Sequence, residues 1–372
     1  MLPPLADRPK LAAVLTQLSA AVEELLLSGL TTASVATKQT LSAAMQEAAR
    51  FRLLRLGSTL RATMEEVGRF TAQDAAFSRR RLCFFLNRAW LLGRGLAQAL
   101  QDADEKEYDR LTWSPPTQPL PNVEVVCLGA AKRVAAGAFV AFEFRFRAVA
   151  DAPPVAAGQP LAWSFVCPLK PGLDIPPEGF LHLPQKQKFT PFILLEKKIV
   201  AIANATVSFD EAGSGRIGLT DQSTVTLSGK FTDWGRFLVW SPEPAVERIR
   251  KHRPGPLDID TELQEEIVLR DYRIGAATEG EHPGQRIYPI TVGERIFTAM
   301  LGAEAESKAL RKNLDDLRKL KKNLPPLFGL MHYERCRLVF QPLTAFRDEP
   351  DYLTISKENV NKAALLKAMS FT

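Results

Sequence analysis

The chain has 372 residues, of which 46% are hydrophobic and 24% are charged, and its 48 basic against 42 acidic residues give a net charge of +6. This composition excludes wholesale disorder and predicts packed cores in two or three domains. Four isolated cysteines without any C-x-x-C pair exclude a disulfide scaffold, a zinc ribbon and a thioredoxin-type redox motif, so we expect buried free thiols.

Residues 1–112 predict a helical bundle. Apolar residues from Leu11 to Leu26 recur at helical spacing, and a second, long helix is expected from Ser34 to Gly68. The segment LCFFLNRAWLL, residues 82–92, is apolar nearly all round, which is typical of a central helix. About three helices are therefore expected in this region.

A change of period follows. Four prolines in residues 113–122 predict a linker. Phe142, Phe144 and Phe146 then alternate with charged residues, which indicates a strand with one buried face. Further strand-like segments, among them 192–209 and 215–229, predict an antiparallel β-sandwich or barrel over residues 120–245.

The last part, residues 255–372, predicts a mixed α/β region that follows a second linker or loop at 252–260. A basic helix is expected over 304–324, ended by Pro325 and Pro326. Its leucines leave two alternatives open, packing on its own domain or against a partner helix. The predicted fold class is thus α+β multidomain, with a helical bundle, an antiparallel β domain and a mixed C-terminal region.

The stretch GSGRIG, Gly213–Gly218, matches the G-x-G-x-x-G of a dinucleotide-binding turn. Such a turn needs a helix after it, because the helix N-terminus holds the pyrophosphate. The residues that follow are rich in threonine and valine, which favours a strand. We therefore interpret Glu211–Gly215 as a hairpin turn and expect no nucleotide or other cofactor.

No local motif of a hydrolase, P-loop or zinc protease occurs, and no metal site is predicted. One enzymatic alternative remains, because Asp174, Glu196 and Lys198 resemble the active site of PD-(D/E)xK nucleases. In such a site two carboxylates hold Mg²⁺, and the lysine positions the attacking water or stabilises charge on the phosphate.

Basic residues concentrate on two predicted helical regions. Ten arginines and only four acidic residues lie between positions 45 and 100, and arginine suits bidentate contacts to phosphate or carboxylate. Because Phe84, Phe85 and Trp90 lie in an apolar run, we expect no aromatic rings for stacking among these arginines. The residues predicted to bind an anionic partner are Arg50, Arg52, Arg55, Arg79, Arg80 and Arg81 in the first region, and Arg311, Lys312, Arg318, Lys319 and Lys322 in the second.

These patterns favour a non-catalytic binding or adaptor subunit of a larger cytoplasmic assembly. A protein partner is expected, and nucleic acid is the second candidate partner for the basic helices. No secretory signal and no apolar run of about 20 residues occur, so no membrane contact is expected. A Mg²⁺-dependent enzyme acting on nucleic acid is the alternative.

Overall fold

The computed structural model divides the chain into two compact units, Met1–Ser114 with Arg253–Thr261 in the first, and Pro115–His252 with Glu262–Thr372 in the second. It describes residues 2–30, 35–74, 77–112, 116–135, 139–168, 176–210, 213–239, 241–253, 264–280, 284–302, 307–320, 322–334 and 336–356.

The described part of the first unit is helical, as predicted. Leucines spaced along the helices form one apolar core, and α1 packs mainly against α4. Their arrangement as a regular bundle stays a prediction. The helices are α1 (Arg8–Ser28), α2 (Val35–Arg50), α3 (Leu54–Thr71), α4 (Arg79–Gln101) and α5 (Glu105–Thr112).

The single helix expected from Ser34 to Gly68 is in fact two helices. Arg52 adopts a left-handed backbone with φ of 54°, and the N–H of Leu53 donates to the carbonyl of Ala48 at 2.8 Å. A left-handed residue ends a helix because it turns the chain away from the helix axis. Leu53 is thereby buried in the core, and α3 continues beyond Gly68 to Thr71.

Helix α1 is long and apolar enough, by length and composition alone, to cross a membrane. Its leucines Leu11, Leu15 and Leu18 are nevertheless buried in the core of the helical unit. A core helix of this kind passes the same test as a membrane span. The expectation of no membrane contact therefore stays a prediction.

The second unit contains a closed five-stranded barrel, which fits the barrel alternative for the central region. The strand order is β1-β2-β3-β5-β4, with β3 and β5 parallel and the other pairs antiparallel. The predicted alternation is confirmed, since Phe142, Phe144 and Phe146 are fully buried inside the barrel. The strands are β1 (Gln118–Ala135), β2 (Phe139–Ala148), β3 (Pro160–Pro168), β4 (Lys198–Phe209) and β5 (Gly215–Lys230).

Two boundaries differ from the prediction. The expected linker 113–122 ends early, because β1 begins at Gln118 and pairs with β4 from there. Pro119 and Pro121 are two positions apart, so their backbone nitrogens point to the same side of β1. Here β1 pairs with β4 on one side only, so prolines are tolerated where their nitrogens face the unpaired side. The expected strand 192–209 begins instead with a short 3-10 helix, Pro191–Leu195, and β4 starts at Lys198.

The C-terminal region combines helices with a sheet, as predicted. The sheet order is β6-β11-β12-β10-β9-β7, with β13 beside β12 and β8 beside β9. Helices α6 (Pro242–Lys251) and α7 (Lys308–Lys319) bury their apolar faces in its core. The strands are β6 (Glu265–Leu269), β7 (Tyr272–Ile274), β8 (Thr278–Glu279), β9 (Arg286–Val292), β10 (Arg295–Leu301), β11 (Leu327–Glu334), β12 (Arg337–Phe346) and β13 (Pro350–Tyr352).

Helix α7 is shorter than the predicted 304–324. It ends at Lys319, and residues 303–306 and 321 lie outside the described residues. Leu310, Leu314 and Leu317 pack on the sheet of the same unit. Of the two alternatives for this helix, packing on its own domain is therefore the one found.

The C-terminal sheet repeats the strand order of the barrel. Its two edge strands, β6 and β7, are consecutive in the chain. Together they take the place of β1 in the barrel, whose two halves also pair with different strands, β4 and β2. Strands β10 and β12 are parallel, as β3 and β5 are. Because Leu269 and Tyr272 are three residues apart, the two edges approach within about 10 Å there, and the sheet curls on itself.

The barrel and the C-terminal sheet share an apolar core, to which β1 contributes Val126 and Leu128. The segment 352–356, which we call the C-terminal segment, then returns to the barrel. The hydroxyl of Tyr352 donates to the carbonyl of Cys127 at 3.0 Å, and that of Thr354 donates to the carbonyl of Ala130. The C-terminal segment thus completes the core of the five-stranded barrel.

Candidate functional site

The residues of the nuclease alternative do not form a metal site where the structure describes them. Asp174 lies outside the described residues. Lys198 Nζ lies 3.1 Å from Glu196 Oε2, so these two groups neutralise each other at the partly exposed start of β4. Among the described residues, no group of three or more His, Cys, Asp or Glu side chains could hold a metal ion.

Strands β4 and β5 pair as a hairpin at the predicted turn Glu211–Gly215, of which residues 211 and 212 lie outside the described residues. The N–H of Ser214 donates to Asp210 Oδ1 at 2.8 Å, and Gly213 has a φ of 80°, a conformation that favours glycine. Strand β5 follows, and an added Cβ at Gly215 would lie 2.5 Å from the side chain of Leu161. Glycine is therefore needed here for a turn and for close strand packing.

The thiols are free, as expected, but not all are buried. Cys127 is buried in the barrel, whereas Cys83 and Cys336 are exposed. Burial raises the pKa of the Cys127 thiol to about 12, because a thiolate would be poorly solvated there. Cys127 is therefore a core residue rather than a reactive one.

Arg55 and Arg50 of the first basic region serve the fold. Unlike the prediction, Arg55 is buried, and its guanidinium donates to the carbonyl of Arg110 at 3.0 Å. Arg50 pairs with Asp7 at 3.0 Å and with Glu47, and Arg52 marks the break between α2 and α3.

The three arginines at the start of α4 divide into two kinds. Arg81 pairs with the buried carboxylate of Glu66 at 3.0 Å, which also accepts hydrogen bonds from Arg69 and from the N–H of Ser78. Burial acts to raise the pKa of Glu66, but these hydrogen bonds outweigh burial and hold the pKa below its ordinary value. Arg79 and Arg80 are exposed and form no ion pair with a described residue.

Most basic residues of α7 have partners within the second unit. The guanidinium of Arg311 donates to backbone carbonyls, and Arg318 and Lys319 pair with the aspartates three residues before them, at 4.0 and 2.9 Å. Lys312 and Lys322 are exposed. Two of the five basic residues of helix α7 are therefore paired with its own aspartates.

Sequence reasoning missed the aromatic side chains of α4. Phe84 is 48% exposed, with the guanidinium of Arg88 5.9 Å from its ring centroid. Trp90 is partly exposed, its Nε1 donates to Glu23 at 2.6 Å, and Arg94 lies 5.6 Å from its ring. The expectation that no ring lies among these arginines is therefore wrong.

A second surface missed by sequence reasoning lies on the outside of the barrel. Val166 of β3 is 60% exposed and Phe139 of β2 is 39% exposed. Arg133 of β1 is opposite Ala141, which is opposite Val166, so this arginine borders the apolar pair. We call this surface the barrel face; its residues are Arg133, Phe139, Ser164, Val166 and Arg216.

The charge of the barrel face is positive. Arg133 is exposed and forms no ion pair with a described residue. Arg216 keeps a 60% exposed side chain although it contacts Ser164 at 3.2 Å and Glu143 at 3.6 Å. Glu143 is also paired with Arg145, so the acidic group on this surface is already neutralised.

One signal in the sequence could have revealed this surface. In the alternating strand, Phe139 shares its phase with Glu143 and Arg145, the residues on the solvent side. That phase predicts that the ring of Phe139 lies on the solvent side of the strand.

No protein-family model matches the chain, and no curated protein matches its sequence. Among solved structures, it is similar to the Ifi202 HINa domain in complex with 20bp dsDNA, at 8% identity and a TM-score of 0.28, covering 63% of this chain and 97% of that chain. It is also similar to a chain of a Replication Protein A heterotrimer bound to ssDNA, at 11% identity and a TM-score of 0.27, covering 70% and 54%. A third, described as "Molecular basis for abrogation of activation of pro-inflammatory cytokines", has 10% identity and a TM-score of 0.29, covering 64% and 95%. At these TM-scores the likeness carries no conclusion about this chain.

Proposed function

We propose that this protein is a non-catalytic binding subunit that holds single-stranded nucleic acid on its barrel face. The observation that carries the proposal is the pair of exposed apolar side chains, Phe139 and Val166, with the exposed Arg133 beside them. Arg216 of β5 lies further along the same surface, in contact with Ser164. The role within a larger cytoplasmic assembly, with a protein partner, is part of the same proposal.

The position of these residues supports the proposal. The strand order of the barrel, repeated in the C-terminal sheet, is that of the OB fold, a five-stranded Greek-key barrel. Oligonucleotides and oligosaccharides bind OB folds on the face of the second and third strands. The apolar pair of the barrel face, Phe139 and Val166, lies on β2 and β3, and its arginines lie on the neighbouring strands β1 and β5. A fold alone does not establish a function, so the chemistry of the side chains has to decide between ligands.

That chemistry fits a single strand. An exposed ring offers a platform on which a base can stack, and arginine binds phosphate in a bidentate manner. In a duplex the base faces are already stacked on one another, and reading base edges requires an element that enters a groove. The barrel face presents a ring on an open sheet surface, so it suits unpaired bases.

Catalysis gains no support from the described residues. Glu196 and Lys198 contact each other, and no group of three metal-ligating side chains is found among the described residues. The nuclease alternative therefore ranks below binding.

The test is fluorescence anisotropy of labelled single-stranded DNA and RNA of about 15 nucleotides, near the upper site size of one OB barrel, across a salt series. The variants are Phe139→Ala and Arg133→Gln/Arg216→Gln, and the matched control is Arg273→Gln, an exposed arginine on β7.

We expect Phe139→Ala to weaken binding about 5- to 150-fold, because stacking of one base contributes about 1–3 kcal/mol. The double arginine variant should lower the salt slope by about 1.4, while the control stays near wild type. Absence of binding at low salt, or equal effects of Phe139→Ala and the control, would refute the proposal. Cleavage of the strand with Mg²⁺ that EDTA abolishes would restore the nuclease alternative.

A further inference from the structure

Helix α4 carries an unusual charge pattern. Over its 23 residues it contains five arginines and no acidic residue. Three of the arginines lie in the first turn, where positive charge is disfavoured by the helix dipole. Arg81 meets a buried carboxylate, that of Glu66. Arg79, Arg80 and Arg94 form no ion pair with any residue that the structure describes.

Rings and guanidinium groups alternate on the solvent side of this helix. Arg80, Phe84 and Arg88 follow one another at intervals of four residues, so they lie on one face. Arg94 is ten positions after Phe84, which places it within about a quarter turn of the same direction. Trp90 lies at the edge of this surface, under the guanidinium of Arg94. We call this surface the α4 face; its residues are Arg80, Phe84, Arg88, Trp90 and Arg94.

Comparison with α7 shows why the α4 face is distinctive. On α7, Arg318 and Lys319 pair with aspartates of the same helix, and Arg311 binds backbone carbonyls. Helix α4 itself carries no acidic residue; Glu66 of α3 balances the charge of Arg81, and the exposed Arg80 and Arg94 leave this surface positive. A cationic surface of this kind attracts an anionic partner from solution.

We infer that the α4 face is a second contact for the same single-stranded nucleic acid, an inference that rests on the proposed function of the barrel. A single strand alternates flat bases with phosphates, and the α4 face alternates rings with guanidinium groups. A base can stack on Phe84 and on the planar guanidinium of Arg88, while Arg80 and Arg94 bind phosphates. An acidic peptide would match the arginines but would leave the exposed ring without a partner.

Two contacts in one chain have a measurable consequence. A strand long enough to reach both surfaces binds the second one intramolecularly, at a high effective concentration. Affinity should therefore rise with strand length beyond the site size of a single barrel. A short strand should report on the barrel face, because Phe139, Val166 and Arg133 lie close together there on adjacent strands.

The experiment uses the full chain and labelled single-stranded RNA of two lengths, one of about 10 nucleotides, within the site size of one OB barrel, and one several times longer. The variants are Phe84→Ala and Arg80→Gln/Arg94→Gln. The matched control is Arg61→Gln/Lys106→Gln, which removes two exposed basic residues from other helices of the same unit. Circular dichroism verifies that each variant remains helical.

We expect Phe84→Ala to weaken binding of the long strand about 5- to 150-fold, and the arginine double variant to lower its salt slope by about 1.4. Neither variant should change the affinity for the short strand by more than about twofold. Ultraviolet crosslinking with mass spectrometry should place the long strand on the peptide that contains Phe84 as well as on the one that contains Phe139.

The outcomes separate the two proposals. If the barrel variants weaken both strands and the α4 variants match their control, the inference about α4 is wrong and the barrel function stands. If the α4 variants weaken both strands and the barrel variants do not, the proposed function of the barrel is wrong. If polyglutamate displaces the long strand and Phe84→Ala has no effect, the α4 face is a general anion surface and the inference is refuted.

Discussion

Replacing Glu178 by alanine should destabilise the second unit strongly. Its carboxylate lies 2.7 Å from Lys132 Nζ, and the two side chains are only 7% and 2% exposed. The N–H of Ser356 donates to the same oxygen at 2.9 Å. Burial acts to raise the pKa of Glu178, but the hydrogen bond and charge of Lys132 outweigh it and hold the pKa below its ordinary value. The carboxylate is thus ionised and fully engaged at neutral pH.

The magnitude follows from what the substitution leaves behind. Without Glu178, the ammonium group of Lys132 is an unpaired buried charge, which costs about 3–5 kcal/mol. The lost hydrogen bond to the C-terminal segment adds about 1 kcal/mol. For a unit of this size each kcal/mol shifts the Tm by about 2–4 °C, so Glu178→Ala should lower the Tm by about 8–24 °C.

The assay is urea unfolding followed by tryptophan fluorescence, to which the buried Trp163 and Trp234 of this unit contribute. The control is the double variant Lys132→Met/Glu178→Leu, which replaces the pair by apolar side chains of similar volume and should recover most of the lost stability. A loss below about 1 kcal/mol for Glu178→Ala, or a double variant as unstable as the single one, would refute the reasoning.

Three further changes test other contacts. Gly329→Ala should lower the urea midpoint markedly, because an added Cβ would lie 2.2 Å from the carbonyl oxygen of Gln341 on the paired strand, whereas Gly235→Ala, with nothing within 4 Å, should not. Because folding lowers the pKa of Glu66, its carboxylate stabilises the helical unit above about pH 4.3, and this stabilisation is lost as the pH falls through the pKa of the folded state. Glu66→Gln should therefore flatten the acid side of the profile of unfolding free energy against pH for the helical unit. Arg55→Ala should lower the free energy of unfolding of the helical unit by about 1–3 kcal/mol, because its guanidinium binds a backbone carbonyl. The affinity for single-stranded RNA should stay unchanged. Reduced RNA affinity at unchanged stability would contradict this.

Local periodicity allowed the elements to be predicted, but not their closure into a barrel. The alternation around Phe144 fixes a strand and its buried side, because that pattern depends only on neighbouring residues. The pairing of β1 with both β2 and β4, and the repeat of this order by the divided strand β6 and β7, depend on registers between distant segments. No local pattern encodes such registers, and a prediction could name only a sandwich or a barrel.

The candidate site shows the same limit more sharply. The sequence identified the arginine-rich region but could not divide it, since the partner decides the role of each arginine. Arg55 binds a carbonyl 55 positions later, and Arg81 binds Glu66, whereas Arg80 lies free of ion pairs among the described residues. The exposure of Phe84 depends on which side of α4 faces the core. Of these features, only the position of Phe139 on the solvent side of its strand could have been predicted from the sequence.

The contacts of the C-terminal segment have a consequence for protein synthesis. Tyr352 and Ile355 belong to the core of the first barrel, and the hydroxyl of Tyr352 bonds to a residue 225 positions earlier. When β5 is complete, 126 residues up to Ser356 are still to be made, which takes about 6–25 s at about 5–20 residues per second. During that interval the barrel exposes apolar surface on the ribosome. Folding of this unit is therefore completed only after the C-terminal segment has been synthesised, and a chain that stops before Tyr352 leaves the ribosome with an uncovered core.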